Sequence, residues 1–153
     1  MRLVRYIWAG PVSCVGLLLA LLGTVGGGRI VRHTGVVEAE GWLLAWGLLH
    51  LTLLKGGVSA ITFGHVVLGR SRAALDATRA HERVHVRQYE RWGPLFIPLY
   101  LASSLWAALR GRHPYFDNSF ERAALAEERF LLQALFTLRA RAANSTPPHP
   151  SSL

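Results

Sequence analysis

Two histidines four positions apart flank a glutamate in the sequence His81-Glu82-Arg83-Val84-His85. On an α-helix, residues four apart lie about 40° from one another around the axis, so both imidazoles can reach one metal ion. Glu82 then lies beside the metal, where its carboxylate can take a proton from a water molecule that the metal activates. The pattern predicts a zinc site with His81 and His85 as ligands and Glu82 as general base.

The helix that carries this motif is predicted over residues 71–91, with Ser71 as its N-cap and a Gly-Pro pair as its stop. Its period places arginines on one face and the two histidines on the other. Three further residues share the histidine face: Gln88, Tyr89 and Trp92. The histidines are therefore expected to point into the protein. The alternative is a surface helix whose histidines pair with nearby carboxylates.

A zinc site of this type needs a third protein ligand. A later helix, predicted from just after Asn118 to about residue 142, carries Glu121 and Glu128 on an apolar stripe. Because a buried carboxylate requires a partner, we expect Glu121 to be the third ligand. Alternatively, Glu121 closes the helix start in a capping box with Asn118. Glu128 is the reserve ligand, or it accepts a hydrogen bond from a ligand imidazole.

Other side chains remain open as alternatives. His65 and His113 are weaker candidates for the third ligand, and His65 is also a candidate substrate contact or a structural histidine. Gln88 is a further alternative ligand, or a residue that orients one. Tyr89 and Tyr100 are both candidates to offer a hydroxyl to a developing oxyanion, and their spacing in the sequence favours neither.

The composition indicates a small domain in contact with lipid. The 153 residues are 51% hydrophobic and only 17% charged, which is more apolar than a soluble domain of this length needs. Cys14 is the only cysteine, which excludes an intramolecular disulfide and a cysteine-based zinc site. Any metal must be held by histidine and carboxylate.

The N-terminal segment is uncharged from residue 7 to residue 28 and has arginines on both sides. That length can cross a bilayer, so we predict an uncleaved membrane helix, with a secretory signal peptide as the alternative. The balanced arginines do not fix its orientation. The predicted organisation is an anchor at residues 1–28, a metal-binding domain at 29–143 and a disordered tail at 144–153.

The middle of the chain predicts an α+β fold that is mainly helical with a short strand hairpin. Residues 35–41 alternate like a short strand, and residues 58–68, rich in β-branched side chains, read as a strand that pairs with it. Residues 42–54 are apolar but short for a span, which favours a peripheral or re-entrant segment. Residues 95–109 fit a core helix or a membrane-dipping helix equally well.

The net charge of +8 makes anionic lipid and nucleic acid candidate partners. The basic residues are scattered and lack an interleaved aromatic platform, so no nucleic-acid partner is expected. The competing function is a non-catalytic metal-binding or basic membrane-surface module, in which arginines of the motif helix grip lipid phosphates.

Two segments of the chain resemble zincin metallopeptidases of the gluzincin kind. The first is the motif with the residues after it, Val86-Arg87-Gln88-Tyr89-Glu90, and the second is Asn118-Ser119-Phe120-Glu121-Arg122-Ala123. The chain is also similar, over residues 58–128, to small bacterial membrane proteins with HExxHVxQYExWGPxF and NxFExxA segments. The further histidine of the metzincins is absent downstream.

This resemblance implies a minimal zincin-like domain that binds zinc through His81, His85 and Glu121 and hydrolyses peptide bonds. It also implies a peptide or protein substrate, contact with membrane lipid and a location in the bacterial inner membrane. By the same analogy, a strand edge near residues 58–68 is expected to hold the substrate extended.

Overall fold

A computed structural model describes residues 2–25, 27–52 and 56–144 of the chain. Its helices are α1 (Arg2–Thr24), α2 (Trp42–His50), α3 (Arg72–Trp92), α4 (Phe96–Leu109) and α5 (Ser119–Asn144), with a 3₁₀ turn at Gly93–Leu95 between α3 and α4. Its strands are β1 (Arg29–His33), β2 (Val36–Glu40), β3 (Ala60–Phe63) and β4 (Val66–Gly69). The expected α+β class, mainly helical with a small sheet and an N-terminal apolar helix, is confirmed. The predicted tail lies outside the described residues from position 145 onward.

The sheet has four strands in the order β1-β2-β4-β3. Two antiparallel hairpins, β1-β2 and β3-β4, lie side by side through a parallel pairing of β2 with β4. The single strand predicted over residues 58–68 is therefore two strands. Gly64, at a φ of +62°, and His65 form the turn between them, a backbone conformation that glycine adopts without strain. The pairing with residues 36–40 is present, through β4 only.

Strand β1 was not predicted from the sequence. Its residues are exposed or half-buried on both sides of the sheet, so its hydrophobic pattern does not alternate. It pairs with β2 along its whole length, from Arg29 opposite Glu40 to His33 opposite Val36. The sheet is thus wider than the expected hairpin, and strand β3 is left as the edge on the other side.

Helices cover both faces of the sheet. On one face, Ala39, Val66 and Leu68 pack against Ala20 of α1 and Leu44 of α2. On the other face, Val36, Ala60 and Val67 pack against Leu75 and Val86 of α3. Burial on both sides explains why all four residues of β4 are buried and apolar or glycine. The result is a three-layer arrangement in which α3 lies directly on the sheet.

Helix α1 packs against the sheet through small side chains. A Cβ added at Gly16 would lie 2.8 Å from the Cβ atoms of Phe63 and Val66, which is too close for an unshifted helix. Ala9 and Ala20 on the same stripe are fully buried. The opposite face of α1 is apolar and exposed, and Leu3–Thr24 is long and apolar enough to cross a membrane. The helix therefore contacts the rest of the fold with one face and leaves the other face open.

The ends of α3 and α5 fix the relative position of the site residues. As predicted, the Ser71 hydroxyl accepts a hydrogen bond from the backbone N–H of Ala74 at the start of α3. The fully buried Asn118 precedes α5 and donates from Nδ2 to the carbonyl oxygen of Tyr100 and to Ser104 Oγ, at 3.0 and 2.8 Å. These bonds attach the start of α5 to α4, so the first turn of α5 lies over α3.

Candidate metal centre

The two histidines of the motif project from one face of α3 into the protein. His81 and His85 are each 8% exposed, and their Nε2 atoms lie 3.1 Å apart. Their rings meet edge to face, with an interplanar angle of 76°. Both imidazoles thus direct one nitrogen towards a common point, as the four-residue spacing predicts.

Glu121 of α5 completes the group. Its Oε2 lies 3.1 Å from His81 Nε2, and its Oε1 lies 3.4 Å from His85 Nε2. One ligand atom from each residue can be chosen so that all lie within 4.8 Å of one another, which permits them to hold a metal ion. In a tetrahedral site with bonds of about 2.0–2.1 Å, neighbouring ligand atoms are roughly 3.3 Å apart. The separations observed therefore suit a small tetrahedral cation.

One oxygen of Glu121 has no hydrogen bond. Glu121 is 2% exposed, and Tyr100 Oη donates to Oε1 at 2.6 Å, whereas Oε2 makes no hydrogen bond with the described residues. His81 Nε2 is near enough to Oε2, but its direction does not suit a hydrogen bond. A buried carboxylate oxygen without a donor is costly unless a cation neutralises it. This atom is the clearest sign that the group suits a metal.

The capping-box alternative for Glu121 does not occur. In a capping box, the glutamate carboxylate accepts a hydrogen bond from the backbone N–H of the cap residue. Here the N–H of Asn118 donates to the carbonyl oxygen of Tyr115 instead. The Asn118 side chain still caps α5, since its Oδ1 accepts from the N–H of Phe120 at 2.9 Å. Glu121 is thus left to face the two histidines.

The charges within the group favour an ionised carboxylate. Burial raises the pKa of Glu121, but its contacts with His81, His85 and Tyr100 outweigh that effect and hold the pKa well below the usual range. Burial lowers the pKa of His85, and the negative charges of Glu82 and Glu121 together with its hydrogen bonds raise it overall. A metal ion that displaces a proton from the imidazoles would satisfy the same negative charge.

Glu82 lies on the neighbouring face of α3 and is held by a residue that sequence analysis missed. Thr62 of β3 donates from Oγ1 to Glu82 Oε2 at 2.6 Å, and both side chains are buried. Burial raises the pKa of Glu82, although His85, the Thr62 hydroxyl and His81 act in the opposite direction. The sequence does contain a sign of this role: Thr62 lies between Ile61 and Phe63 in a predicted strand, and a hydroxyl buried in a strand needs a hydrogen-bond partner.

The outer nitrogens of the two histidines lie near polar side chains. With its proton on Nδ1, His85 donates to Gln88 Oε1 at 2.9 Å, and Gln88 Nε2 donates to the carbonyl oxygen of Phe120. His81 Nδ1 lies 3.6 Å from Glu128 Oε2. Gln88 therefore orients His85, whereas Glu128 lies near His81 without a hydrogen bond to it, and the Nε2 atoms of both histidines are left for a metal.

The remaining histidine candidates lie outside this group. His65 contacts α1 and the far end of α3: its Nδ1 is 3.5 Å from Ser13 Oγ, its Nε2 is 3.3 Å from Glu90 Oε1, and its ring stacks on Tyr6. The imidazole of His113 accepts backbone N–H donors in its own loop. Among the described residues, Glu121 alone joins His81 and His85 in a ligand group.

A cavity of about 500 Å³ opens directly onto the group. Strand β3 forms one wall and helix α4 the other, and Glu82, His81 and His85 lie at its inner end. Three tyrosines line it: Tyr89, Tyr100 and Tyr115. Of these, the sequence did not indicate Tyr115, whose pKa is raised by burial and by the charge of Glu121. The cavity has room for part of a substrate beside the metal-binding group.

The edge of β3 that faces away from β4 is available along this cavity. The carbonyl oxygen of Ser59 accepts from the N–H of Arg70, which makes these residues a hydrogen-bonded pair of the antiparallel ladder. Since such pairs alternate, the backbone N–H and C=O groups of Ala60 and Thr62 point to the free edge. An extended peptide could pair there.

The arginine side chains of α3 contact other residues of the chain. Arg79 binds the buried carboxylate of Glu38, and Arg83 donates to the carbonyl oxygens of His33 and Thr34. Arg87 pairs with Glu127 of α5, and Arg91 lies over the ring of Trp92. These contacts give each of these four arginines a partner within the chain, and Arg72, the fifth arginine of α3, pairs with Glu38 and Asp76.

No family model, curated protein or solved structure matches this chain. The resemblance to zincins therefore rests on two sequence segments, the histidine motif with the residues after it and the segment around Glu121. The assignment of the metal-binding group rests on the distances between its ligand atoms.

Proposed function

We propose that the chain is a membrane-associated, zinc-dependent metallopeptidase with Glu82 as general base. The observation that carries the proposal is the buried, unbonded oxygen of Glu121, which converges with two imidazole nitrogens beside a carboxylate held by Thr62. The resemblance to bacterial membrane proteins supports an inner-membrane location, and the apolar outer face of α1 supports contact with lipid.

The donor set favours zinc. Two imidazole nitrogens and one carboxylate oxygen are typical of catalytic zinc sites, which keep a further coordination position open. Calcium and magnesium prefer six or more oxygen ligands, and the group offers nitrogen at two positions. The ligand separations of 3.1 to 3.4 Å agree with a tetrahedral arrangement.

In the proposed reaction, a zinc ion bound by these residues supplies Lewis-acid chemistry, which makes water nucleophilic near neutral pH and polarises a carbonyl group. Glu82 takes the proton of the attacking water and passes it to the nitrogen of the leaving amine. Because the Thr62 hydroxyl occupies Oε2, Oε1 is the oxygen available for the proton. Burial, which raises the pKa of Glu82, makes it a better base than an exposed carboxylate.

The other residues of the cavity position the substrate. A peptide that pairs with the free edge of β3 would lie along the wall opposite α4, with its backbone bonded to Ala60 and Thr62. Tyr100 is engaged with Glu121, and the Tyr115 hydroxyl also interacts with that carboxylate, so Tyr89 is the lining tyrosine left to stabilise negative charge on the carbonyl oxygen.

The competing non-catalytic module is less well supported. Arg79, Arg83 and Arg87 already bond within the chain, which leaves them poorly available to lipid phosphates. A purely structural metal site would be closed, whereas this group opens on a cavity with a carboxylate at its inner end.

Metal analysis and a protease assay test the proposal together. Wild-type protein is expected to retain zinc at one ion per chain after dialysis, and His81→Ala is expected to lose it. His113→Ala is the matched control because this histidine lies outside the group. Glu82→Gln should keep zinc and lose cleavage of a casein-like substrate. Full cleavage by Glu82→Gln would refute the general-base role, and zinc that persists in His81→Ala would refute the ligand assignment.

A further inference from the structure

The walls of the cavity are chemically divided. Most of its polar groups lie at the histidines, Glu82 and Glu121, together with the hydroxyls that contact them or lie nearby. The hydroxyl of Thr52, beside Leu51, also lines the cavity but is bonded to the carbonyl oxygen of Leu48. The rest of its surface is aliphatic or aromatic and comes from three places: Leu51 and Val58 before β3, Ile61 and Phe63 of β3, and Phe96, Ile97 and Leu101 of α4. A substrate that fills this part of the cavity must itself be apolar, because a charged side chain would be desolvated there without a partner.

At the mouth of the cavity, the exposed residues that the structure describes are apolar as well. The described lining residues that are exposed to the outside are Leu51, Ile97, Leu101 and Pro114. None of them carries a charge or a hydrogen-bonding side chain. Soluble enzymes that take polar peptides from water rarely surround an entrance with exposed leucine and isoleucine. The entrance is therefore suited to an apolar environment.

The wall formed by α4 continues into a surface suited to lipid. Of the 14 residues of α4, only Phe96 and Ala107 are buried, and the helix contains no charged residue. Arg110, the residue after the helix, places its guanidinium 4.2 Å above the indole ring of Trp106, a pair typical of the level of lipid headgroups. A helix that is apolar all round and mostly exposed has no stable place in water.

Helix α1 contacts the 3₁₀ turn that leads into α4. Gly93, at the start of the 3₁₀ turn that leads into α4, lies so close to Trp8 of α1 that an added Cβ would be 2.6 Å from the indole ring. Leu3 and Ile7 of α1 and Leu95 of the turn are exposed, so apolar side chains remain outside the fold both on α1 and at the start of α4. Ile97 and Leu101, which are exposed at the cavity, belong to α4 as well.

We propose that the site acts on apolar segments of membrane-inserted polypeptide, which enter between β3 and α4 from the lipid side. This inference rests on the proposed peptidase function and adds its substrate class. The segment places its apolar side chains against Ile97 and Leu101, and its backbone reaches the free edge of β3 beside Glu82. Water-soluble peptides rich in charge bind more weakly, because the apolar lining would desolvate their charged side chains without a partner.

The test measures binding separately from cleavage. The full chain carrying Glu82→Gln is loaded with zinc and reconstituted in vesicles of phosphatidylcholine and phosphatidylglycerol. The probes are a labelled peptide with a membrane-inserted leucine-alanine segment of about 20 residues and a soluble, aspartate-rich peptide of the same length. We expect the inserted peptide to bind at least about tenfold more tightly than the soluble peptide.

Two matched variants show whether the cavity is the binding site. Leu101 and Leu105 lie one turn apart on α4 and are 55% and 60% exposed, but only Leu101 lines the cavity. Leu101→Asp should weaken binding of the inserted peptide at least about tenfold, whereas Leu105→Asp should change it less than about twofold. Ile97→Asn is a second cavity variant should Leu101→Asp fail to retain zinc.

Each other outcome is decisive. Equal weakening by the variants at 101 and 105 would mean that α4 only seats the protein in lipid, and would overturn the proposal. Equal or tighter binding of the soluble peptide, or no binding of the inserted one, would also overturn it. If the inserted peptide binds as expected but wild-type protein cleaves nothing, the peptidase function fails and the binding preference stands. If the wild type cleaves casein but the inserted peptide does not bind, the peptidase function stands and the proposed substrate class fails.

Discussion

Thr62 Oγ1 donates a hydrogen bond of 2.6 Å to Glu82 Oε2, and this contact joins the edge strand of the sheet to the helix that carries both histidines. The two residues are 20 positions apart and both are buried. The bond fixes one carboxylate oxygen and leaves the other facing the cavity. The proposed base is thus oriented by the same strand whose free edge is proposed to bind substrate.

Replacement of Thr62 by valine keeps the shape of the side chain and removes the donor. Because hydrogen bonds to charged groups contribute about 1.5–3 kcal/mol, we expect kcat/KM to fall roughly 10- to 100-fold. Zinc content should not change, since Thr62 contacts no ligand atom of the metal-binding group. Thr78→Val on α3, where the hydroxyl bonds only to Ala74, is the control and should retain full activity. Equal activity of the two variants would contradict the positioning role.

Gln88 is expected to act on zinc affinity through His85. Its Oε1 lies 2.9 Å from His85 Nδ1, so Gln88→Ala removes the acceptor that orients this ring. Loss of such a partner typically costs about 10- to 100-fold in metal affinity. Gln88→Glu keeps the acceptor for His85 but loses the donor to the carbonyl oxygen of Phe120, so it should restore only part of the affinity. Competition with a chromogenic chelator measures both constants, and equal affinity of Gln88→Ala and wild type would argue against the role.

The salt link between Glu38 and Arg79 should make stability depend on pH. Glu38 is 3% exposed, accepts hydrogen bonds from Arg79 at 2.8 and 3.0 Å, and has a pKa that Arg79, followed by Arg72, lowers despite burial. A carboxyl whose pKa is lower in the folded state stabilises the fold above its unfolded pKa. That stabilisation is lost as pH falls through the folded pKa.

Glu38→Gln should therefore reduce the free energy of unfolding by about 1–3 kcal/mol at pH 7. The difference from wild type should shrink as pH falls below about 4.5, where the unfolded carboxyl becomes protonated. Thermal unfolding in detergent at a series of pH values measures it. Asp76→Asn is the control, since this exposed carboxylate shares Arg79 and should matter much less. A difference that persists unchanged at low pH would contradict the assignment.

Gly16 tests whether α1 is a packed layer of the fold. An alanine Cβ there would lie 2.8 Å from Phe63 and Val66, so the helix or the hairpin must shift. We expect Gly16→Ala to destabilise the protein by about 1–3 kcal/mol. Gly10→Ala is the matched control on the same helix, because a Cβ at that position meets nothing within 4 Å. If both variants unfold at the same temperature as wild type in detergent, α1 does not pack on the sheet as described.

Local patterns in the sequence were sufficient to predict the helices that carry the proposed ligands. The four-residue spacing of His81 and His85, the cap at Ser71 and the asparagine before α5 all act within one helix or at its end. Glu121 could be proposed because an apolar stripe with a buried carboxylate requires a partner. These features depend on neighbouring residues, and a single sequence contains them.

Features that depend on contacts between distant elements were missed. The role of Thr62 arises only when β3 lies on α3, and strand β1 is formed by pairing with β2 and not by a burial pattern of its own. The packing of α1 was also hidden, because an apolar helix with Gly16 among its residues resembles a membrane span in composition. Its small residues have meaning only once the β3-β4 turn is known.

The metal centre itself is tested most directly by zinc X-ray absorption spectroscopy on purified wild type and Glu121→Ala, with Glu127→Ala as the control on the same helix. We expect a wild-type spectrum with two imidazole ligands and only nitrogen or oxygen donors at about 2.0–2.1 Å. Glu121→Ala should lose zinc or show a changed first shell, and Glu127→Ala should match wild type. Three results would contradict the proposed metal centre: no stoichiometric zinc in the wild type, a spectrum without imidazole ligands, or a spectrum and zinc content that Glu121→Ala leaves unchanged.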